Sequence, residues 1–150
     1  MEVKVTWQEG VYFHGQAGKH TLAIEGPPES GGKNRGVRPM ESVLIGLASC
    51  SAYDVVSILA KSRQPLAKCE VDVTAQRADS VPKVFTKIQL HFRFAANEGA
   101  KLDDEVIARA IDLSVNKYCS VSQMLTAGGV QIEHSHTLEE LSANSNKSND

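Results

Sequence analysis

Apolar and polar residues alternate at the start of the chain. Val3, Val5 and Trp7 interleave with Lys4, Thr6 and Gln8, the period of a half-buried strand. Glu9-Gly10 marks a turn, Val11 to His14 a second strand, and Gly15 to Lys19 a break. His20 to Glu25 forms a third strand, with Leu22 and Ile24 on one face. Three strands with short connections predict an antiparallel meander. The period then changes. From Pro39 or Met40 to about Arg63 the chain follows a helical wheel, with Met40, Val43, Leu44, Leu47, Val55 and Ile58 on one side and Ile45, Ala52 and Val56 nearly opposite. Proline suits the first helical turn, where its missing N–H has no partner to lose. A helix apolar on two sides is expected to be central and covered on both. Its remaining stripe is small and polar: Ser42, Gly46, Ser49, Cys50, Tyr53 and Ser57.

Lys68 to Gln76 places Cys69, Val71 and Val73 on one strand face, and Asp79 to Pro82 signals a turn. Val84 to Phe94 alternates through Ile88, Leu90, Phe92 and Phe94. Asp103 and Asp104 can cap a second helix carrying Val106, Ile107, Ala110, Ile111 and Leu113. Asn116 is a break point. Ser120 to Gln123 has the S-x-x-Q form of a capping box and so predicts a short third helix. Gly128-Gly129 ends it before a last strand, Val130 to His136. The order is βββ-α-ββ-α-α-β, six strands around a long helix, which is an α+β class. One domain is expected over 1–140, followed by a disordered tail over 141–150 rich in Ser, Asn and Lys. Six short strands are too few to cover a two-sided helix, so an intertwined homodimer is expected.

Composition narrows the function. Sixteen basic and eighteen acidic residues leave a net charge of -2, which excludes nucleic acid as the main partner. The longest apolar run of the helix, Val43 to Ala48, is short against the ~20 residues of a membrane span, so no membrane partner is expected. Residues 1–25 lack a signal-peptide pattern, and a cytoplasmic, reducing location follows. Three cysteines make no disulfide framework there, which leaves redox or catalytic chemistry. Cys50 borders polar neighbours rather than an apolar face, and the Gly26 to Pro39 loop brings Lys33, Arg35 and Arg38 toward its helix; cations favour a thiolate. Asp54, four residues on, opposes ionisation. Cys119 precedes the capping box, where the helix dipole favours a thiolate. The competing reading for each is a small buried side chain. Two separated cysteines fit a peroxide cycle in which one forms a sulfenic acid and the other condenses with it. Cys69 reads as core. His134 and His136 share a strand face without a recognisable ligand spacing, so neither metal nor cofactor is expected. The glycine- and proline-rich loop is either a flexible connection or functional.

Arg38-Pro39-Met40-Glu41, Leu44 and the Ala48-Ser49-Cys50-Ser51-Ala52 segment resemble the signature helix of the OsmC/Ohr family. Tyr118-Cys119-Ser120-Val121-Ser122 resembles its second-cysteine segment, and the order of elements agrees over residues 1–136. The Ser51 to Leu59 run is most similar to the YhfA-like branch. The resemblance implies an intertwined homodimer that reduces organic hydroperoxides, with Cys50 peroxidatic and Cys119 resolving, recycled by a dithiol such as dihydrolipoamide. It also implies an activating arginine from the N-terminal strands and a glutamate directly after the helix-starting proline. This chain departs on both: its first arginine is Arg35, and Met40 follows Pro39. Arg35, Arg38 and Glu41 are therefore the candidates for activation. The alternative function is a non-catalytic dimer that binds a hydrophobic small molecule in its interface cleft.

Overall fold

The computed structural model describes residues 1–141; the expected tail therefore lies, from residue 142 on, outside the described residues. The chain forms two compact units, Met1–Gly46 and the part from Leu47 onward, and the division falls within the long helix.

In the first unit β1 (Lys4–Glu9), β2 (Tyr12–Ala17) and β3 (His20–Glu25) make an antiparallel meander in that order. Trp7 pairs with Phe13, and Phe13 with Ile24. β2 runs through Gly15 instead of breaking there. The absence of a side chain serves packing at that position, since a Cβ would stand 3.3 Å from Ile24 Cδ1. Val3, Val5 and Trp7 are exposed, the last at 64%. The alternation is that of a half-buried strand, but nothing among the described residues covers it.

The stretch after β3 is not a loose connection. A short 3-10 turn at Pro28–Ser30 is followed by a return along β3. Val37 forms a parallel bridge with Ile24, through Val37 N–H to Ala23 O at 3.1 Å and Glu25 N–H to Val37 O at 3.0 Å. Two glycines permit the approach: a Cβ on Gly32 would lie 2.0 Å from Gly26 O, and one on Gly36 2.4 Å from Ala23 O.

Helix α1 (Pro39–Lys61) begins in the first unit. Its start is fixed by Glu41, which accepts the Arg38 backbone N–H at 2.9 Å. Of its length, Leu47, Ser51, Val55 and Leu59 are fully buried, a single line at steps of four. The second apolar side is not covered by the described residues: Ile45 is 54% and Val56 39% exposed. By length and composition α1 is apolar enough to cross a membrane, with a mean hydropathy of 1.8. Its unbroken apolar run is short because Ser49, Ser51 and Asp54 interrupt it, and Ser51 and Asp54 are both engaged in hydrogen bonds inside the second unit.

The second unit holds the core. β4 (Leu66–Arg77) and β5 (Phe85–Ala96) form an antiparallel hairpin, and β6 (Gln131–Glu139) lies parallel to β5 on its other side. The inward residues of β5, Ile88, Leu90, Phe92 and Phe94, have no exposed surface, with the two Phe rings stacked. α2 (Asp104–Leu113) adds Ile107, Ala110 and Ile111. Its N-cap is Asp103, whose Oδ1 accepts the N–H groups of Glu105 and Val106. α3 (Ser120–Ala127) precedes β6. The six strands thus form two three-stranded sheets, one in each unit.

Candidate active site

The position of Cys119 comes from an irregular turn. After α2 the helix widens over Ser114–Tyr118 into a π-helical turn closed by Cys119 N–H to Ser114 O at 2.8 Å. The chain does not break at Asn116. It leaves the helical conformation at Cys119 (φ -67°, ψ 107°), which becomes the N-cap of α3. The expected capping box at Ser120 is therefore not formed. The Cys119 sulfur takes the capping role one residue earlier, accepting the Ser122 N–H at 3.4 Å, and Gln123 Nε2 donates to Val115 O instead.

Cys119 has no exposed surface, while Cys50 on α1 is half-buried. Cys50 lies close enough to bear on the ionisation of Cys119, and its neighbour Ser51 touches the Cys119 sulfur. Residues 69 positions apart are thus brought side by side. Ser51 Oγ–H donates to the Cys119 sulfur at 3.3 Å. Ser114 Oγ–H is shared between Ser51 O at 3.0 Å and Asp54 Oδ2 at 3.3 Å, and Ser122 Oγ–H donates to Val115 O at 2.7 Å. Among the described residues the buried polar ones are Glu25, Ser51, Ser114 and Ser122. Ser51 and Ser122 touch this sulfur, and Ser114 accepts the Cys119 N–H.

Burial pushes the Cys119 thiol above its ordinary range. The bonds from Ser51 and the Ser122 N–H pull it back in part, and the neighbouring Cys50 raises it again. The expectation that the helix end would favour a Cys119 thiolate is corrected accordingly: desolvation of the charged form outweighs one N–H donor. Cys69 is half-buried in β4, its thiol likewise raised by burial.

The charged candidates lie in the first unit and pair there. Arg35 Nε and Nη2 donate to Glu25 Oε1 at 3.0 and 2.7 Å, its backbone N–H to Glu25 Oε2 at 2.7 Å, and its Nη1 to Glu9. Its guanidinium stacks 4.1 Å above the Tyr12 ring. Glu25 is buried, and the Arg35 side chain holds its carboxyl down at about 2. Arg38 and Glu41 pair with each other at 3.1 Å at the helix start, and the Arg38 N–H lowers the Glu41 carboxyl. The structure therefore brings Cys50 and Cys119 together in one unit, and Arg38 with Glu41 in the other.

His136 Nε2 stands 2.9 Å from Asp104 Oδ1; His134 lies two residues before it on β6. No group of three or more His, Cys, Asp or Glu side chains suited to a metal occurs among the described residues. Sequence reasoning missed Ser51, Ser114 and Ser122. For Ser51 a signal existed, since it stands four residues from Leu47 and four from Val55, on the line that became the buried edge of α1.

Residues 31–135 match the family model described as OsmC-like protein. The chain is 45% identical to Protein YhfA of Escherichia coli K12 over 137 residues, 91% of this chain and 96% of that protein. A crystal structure of a hypothetical protein from Aquifex aeolicus superimposes with a TM-score of 0.77 at 25% identity, covering 93% of this chain and 97% of that one. At 18% identity and a TM-score of 0.65, the organic hydroperoxide resistance protein OsmC from Legionella pneumophila has the same fold over 91% of this chain and 95% of its own. The chain belongs to the OsmC-like family. Protein YhfA is its relative at close to half identity over nearly the whole length of both.

Proposed function

We propose that this protein is a thiol peroxidase for organic hydroperoxides, with Cys50 peroxidatic and Cys119 resolving. The observation that carries the reading is the juxtaposition of the two thiols, one half-buried and one sealed. The Cys50 thiolate attacks the O–O bond of ROOH. An S–O bond forms, the O–O bond breaks, and the alkoxide takes a proton to leave as alcohol. The Cys119 sulfur then displaces hydroxide from the sulfenic acid, its proton completing a water, and the S–S bond closes. A dithiol of the dihydrolipoamide type returns both thiols. The protein works as a homodimer in the reducing cytoplasm. A second copy would cover Val3, Val5, Trp7, Ile45 and Val56, large apolar side chains that one chain leaves in water. Arg35, Arg38 and Glu41 remain the charged candidates for activation. Treatment with an organic hydroperoxide should yield the Cys50–Cys119 disulfide in the wild type and a trapped sulfenic acid in Cys119→Ser, with no reaction in Cys50→Ser. Indifference of Cys50 to hydroperoxide would overturn the reading.

One observation favours the alternative, a binding protein for a hydrophobic small molecule. An open cavity of about 420 Å³ in the first unit is lined by Val3, Val5, Leu22, Ile24, Thr21 and Ser42, in the size range of ligand sites. Binding of an apolar fluorophore, lost in Leu22→Asp while hydroperoxide leaves every thiol intact, would select it.

A further inference from the structure

The environment of Cys119 is more specific than burial requires. A serine inside a helix ordinarily turns its hydroxyl back to the carbonyl four residues earlier. Ser51, with no exposed surface, sends its proton to the Cys119 sulfur instead. The Ser122 N–H converges on the same atom at 3.4 Å. The Ser51 backbone is itself held through the Ser114 hydroxyl, which also binds Asp54. Two donors thus point at one buried sulfur, while Cys50 beside it is half-exposed.

We propose that Ser51 is a positioning residue for the opening of the Cys50–Cys119 disulfide: its hydroxyl and the Ser122 N–H receive Cys119 as the departing thiolate, so that an incoming thiol is directed to Cys50. The inference rests on the two-cysteine reading above for its place in a cycle. In this step the thiolate of a dithiol attacks Cys50 Sγ and forms a mixed disulfide. The Cys50–Cys119 bond breaks and its electron pair passes to Cys119 Sγ, which later takes a proton. The second thiol of the reductant then attacks its own sulfur in the mixed disulfide. It leaves as a cyclic disulfide and frees Cys50 as thiolate. A sulfur whose anion is better stabilised leaves faster, and access selects which sulfur is attacked. Both effects act in the same direction here. A hydrogen bond to a charged acceptor is strong enough that its removal is expected to slow the opening about tenfold.

The test uses the full chain with Cys69→Ser, so that two thiols remain. Diamide, which oxidises thiols without needing peroxidase activity, makes the disulfide. Glutathione then opens it, and acid quenching with peptide mass mapping locates the adduct. Glutathione should be found on Cys50, and the opening should be about tenfold slower in Ser51→Ala and within about twofold of the parent in Ser51→Thr, which keeps the hydroxyl. In a Cys50→Ala, Cys69→Ser chain, titration of thiolate absorbance should place Cys119 about one unit higher with Ser51→Ala and restore it with Ser51→Thr. A structural role alone would not move that titration with the hydroxyl. Glutathione on Cys119, equal opening rates, an unmoved titration, or no disulfide with diamide would each overturn the proposal. If Ser51→Ala does not fold, the site of the glutathione adduct still tests it, and glutathione on Cys119 overturns it. A chain inert to hydroperoxide whose diamide-made disulfide nevertheless opens at Cys50 with this Ser51 dependence would sink the peroxidase reading and sustain the role of Ser51.

Discussion

Replacing Gly36 by alanine should detach the segment that carries Arg35 from the edge of β3. A Cβ at this position would lie 2.4 Å from Ala23 O, 2.5 Å from Ala23 C and 2.8 Å from Ile24 N. All three are backbone atoms, and none can swing aside as a side chain would. Ordinary carbon contacts begin near ~3.5 Å, so the two segments must part by about 1 Å. The bridging bonds, 3.1 Å from Val37 N and 3.0 Å from Glu25 N, would then stretch to about 4 Å and cease to be hydrogen bonds. At about 1 kcal/mol net for each, with a further penalty for groups left unsatisfied, the loss comes to about 2–4 kcal/mol. Urea unfolding followed by far-UV circular dichroism measures it as a fall in the midpoint at constant slope. Native-state hydrogen exchange at the Glu25 and Val37 amides reports the same loss locally. Gly31→Ala is the control: its φ of 90° makes alanine strained, but its Cβ meets nothing within 4 Å, so a smaller loss of about 1–2 kcal/mol is expected. A Gly36→Ala chain within about 0.5 kcal/mol of wild type, with both amides still protected, would refute the argument from close approach.

Glu25→Gln should flatten the acid limb of stability. The folded carboxyl is held at about 2 against an ordinary 4.5, so its contribution is complete above pH 4.5 and is lost as the pH falls toward 2. Urea midpoints across that window should drop less in the variant than in the wild type. Phe92→Ala removes a ring with no exposed surface from the middle of β5 and should cost about 3–5 kcal/mol in the same urea assay. Sedimentation equilibrium should give about twice the 16.2 kDa chain mass at micromolar concentration, and Trp7→Glu, on the exposed side of β1, should shift the protein toward monomer. A wild type at the monomer mass would count against the homodimer.

What the sequence disclosed followed physical period closely. Ile88, Leu90, Phe92 and Phe94 alternate without exception and are all fully buried, and Pro39 begins the helix it was expected to begin. The pairing of Cys50 with Cys119 came through the resemblance of two motifs, since no spacing rule joins residues so far apart. The rest was hidden for identifiable reasons. Periodicity marks both apolar sides of α1 without telling which is covered inside one chain, so Ile45 and Val56 looked like core. Composition left the segment after β3 open between a flexible connection and a functional loop, and did not reveal that its glycines let backbone meet backbone. The S-x-x-Q pattern at Ser120 was a fair capping signal, but the π-helical turn before it shifted the cap by one residue. Local sequence does not announce such a turn.

That turn makes the segment between the two cysteines unequal in its tolerance of length. At the tip of the β4–β5 hairpin, around Ser80 to Lys83, the chain is exposed and outside both strands, so inserted residues extend into water. Between Ser114 and Cys119 the i to i−5 bond takes up one residue more than an α-helical turn would. Deleting one of those residues would return the turn to ordinary winding with the downstream phase kept, whereas deleting a second would rotate the downstream residues by about 100° and draw them back by about 1.5 Å. The sulfur would then leave the line of the Ser51 hydroxyl while the surrounding helices kept their shape. Added length at the hairpin tip therefore leaves the site untouched, but the widened turn works as a vernier that sets the phase of the second cysteine against the first.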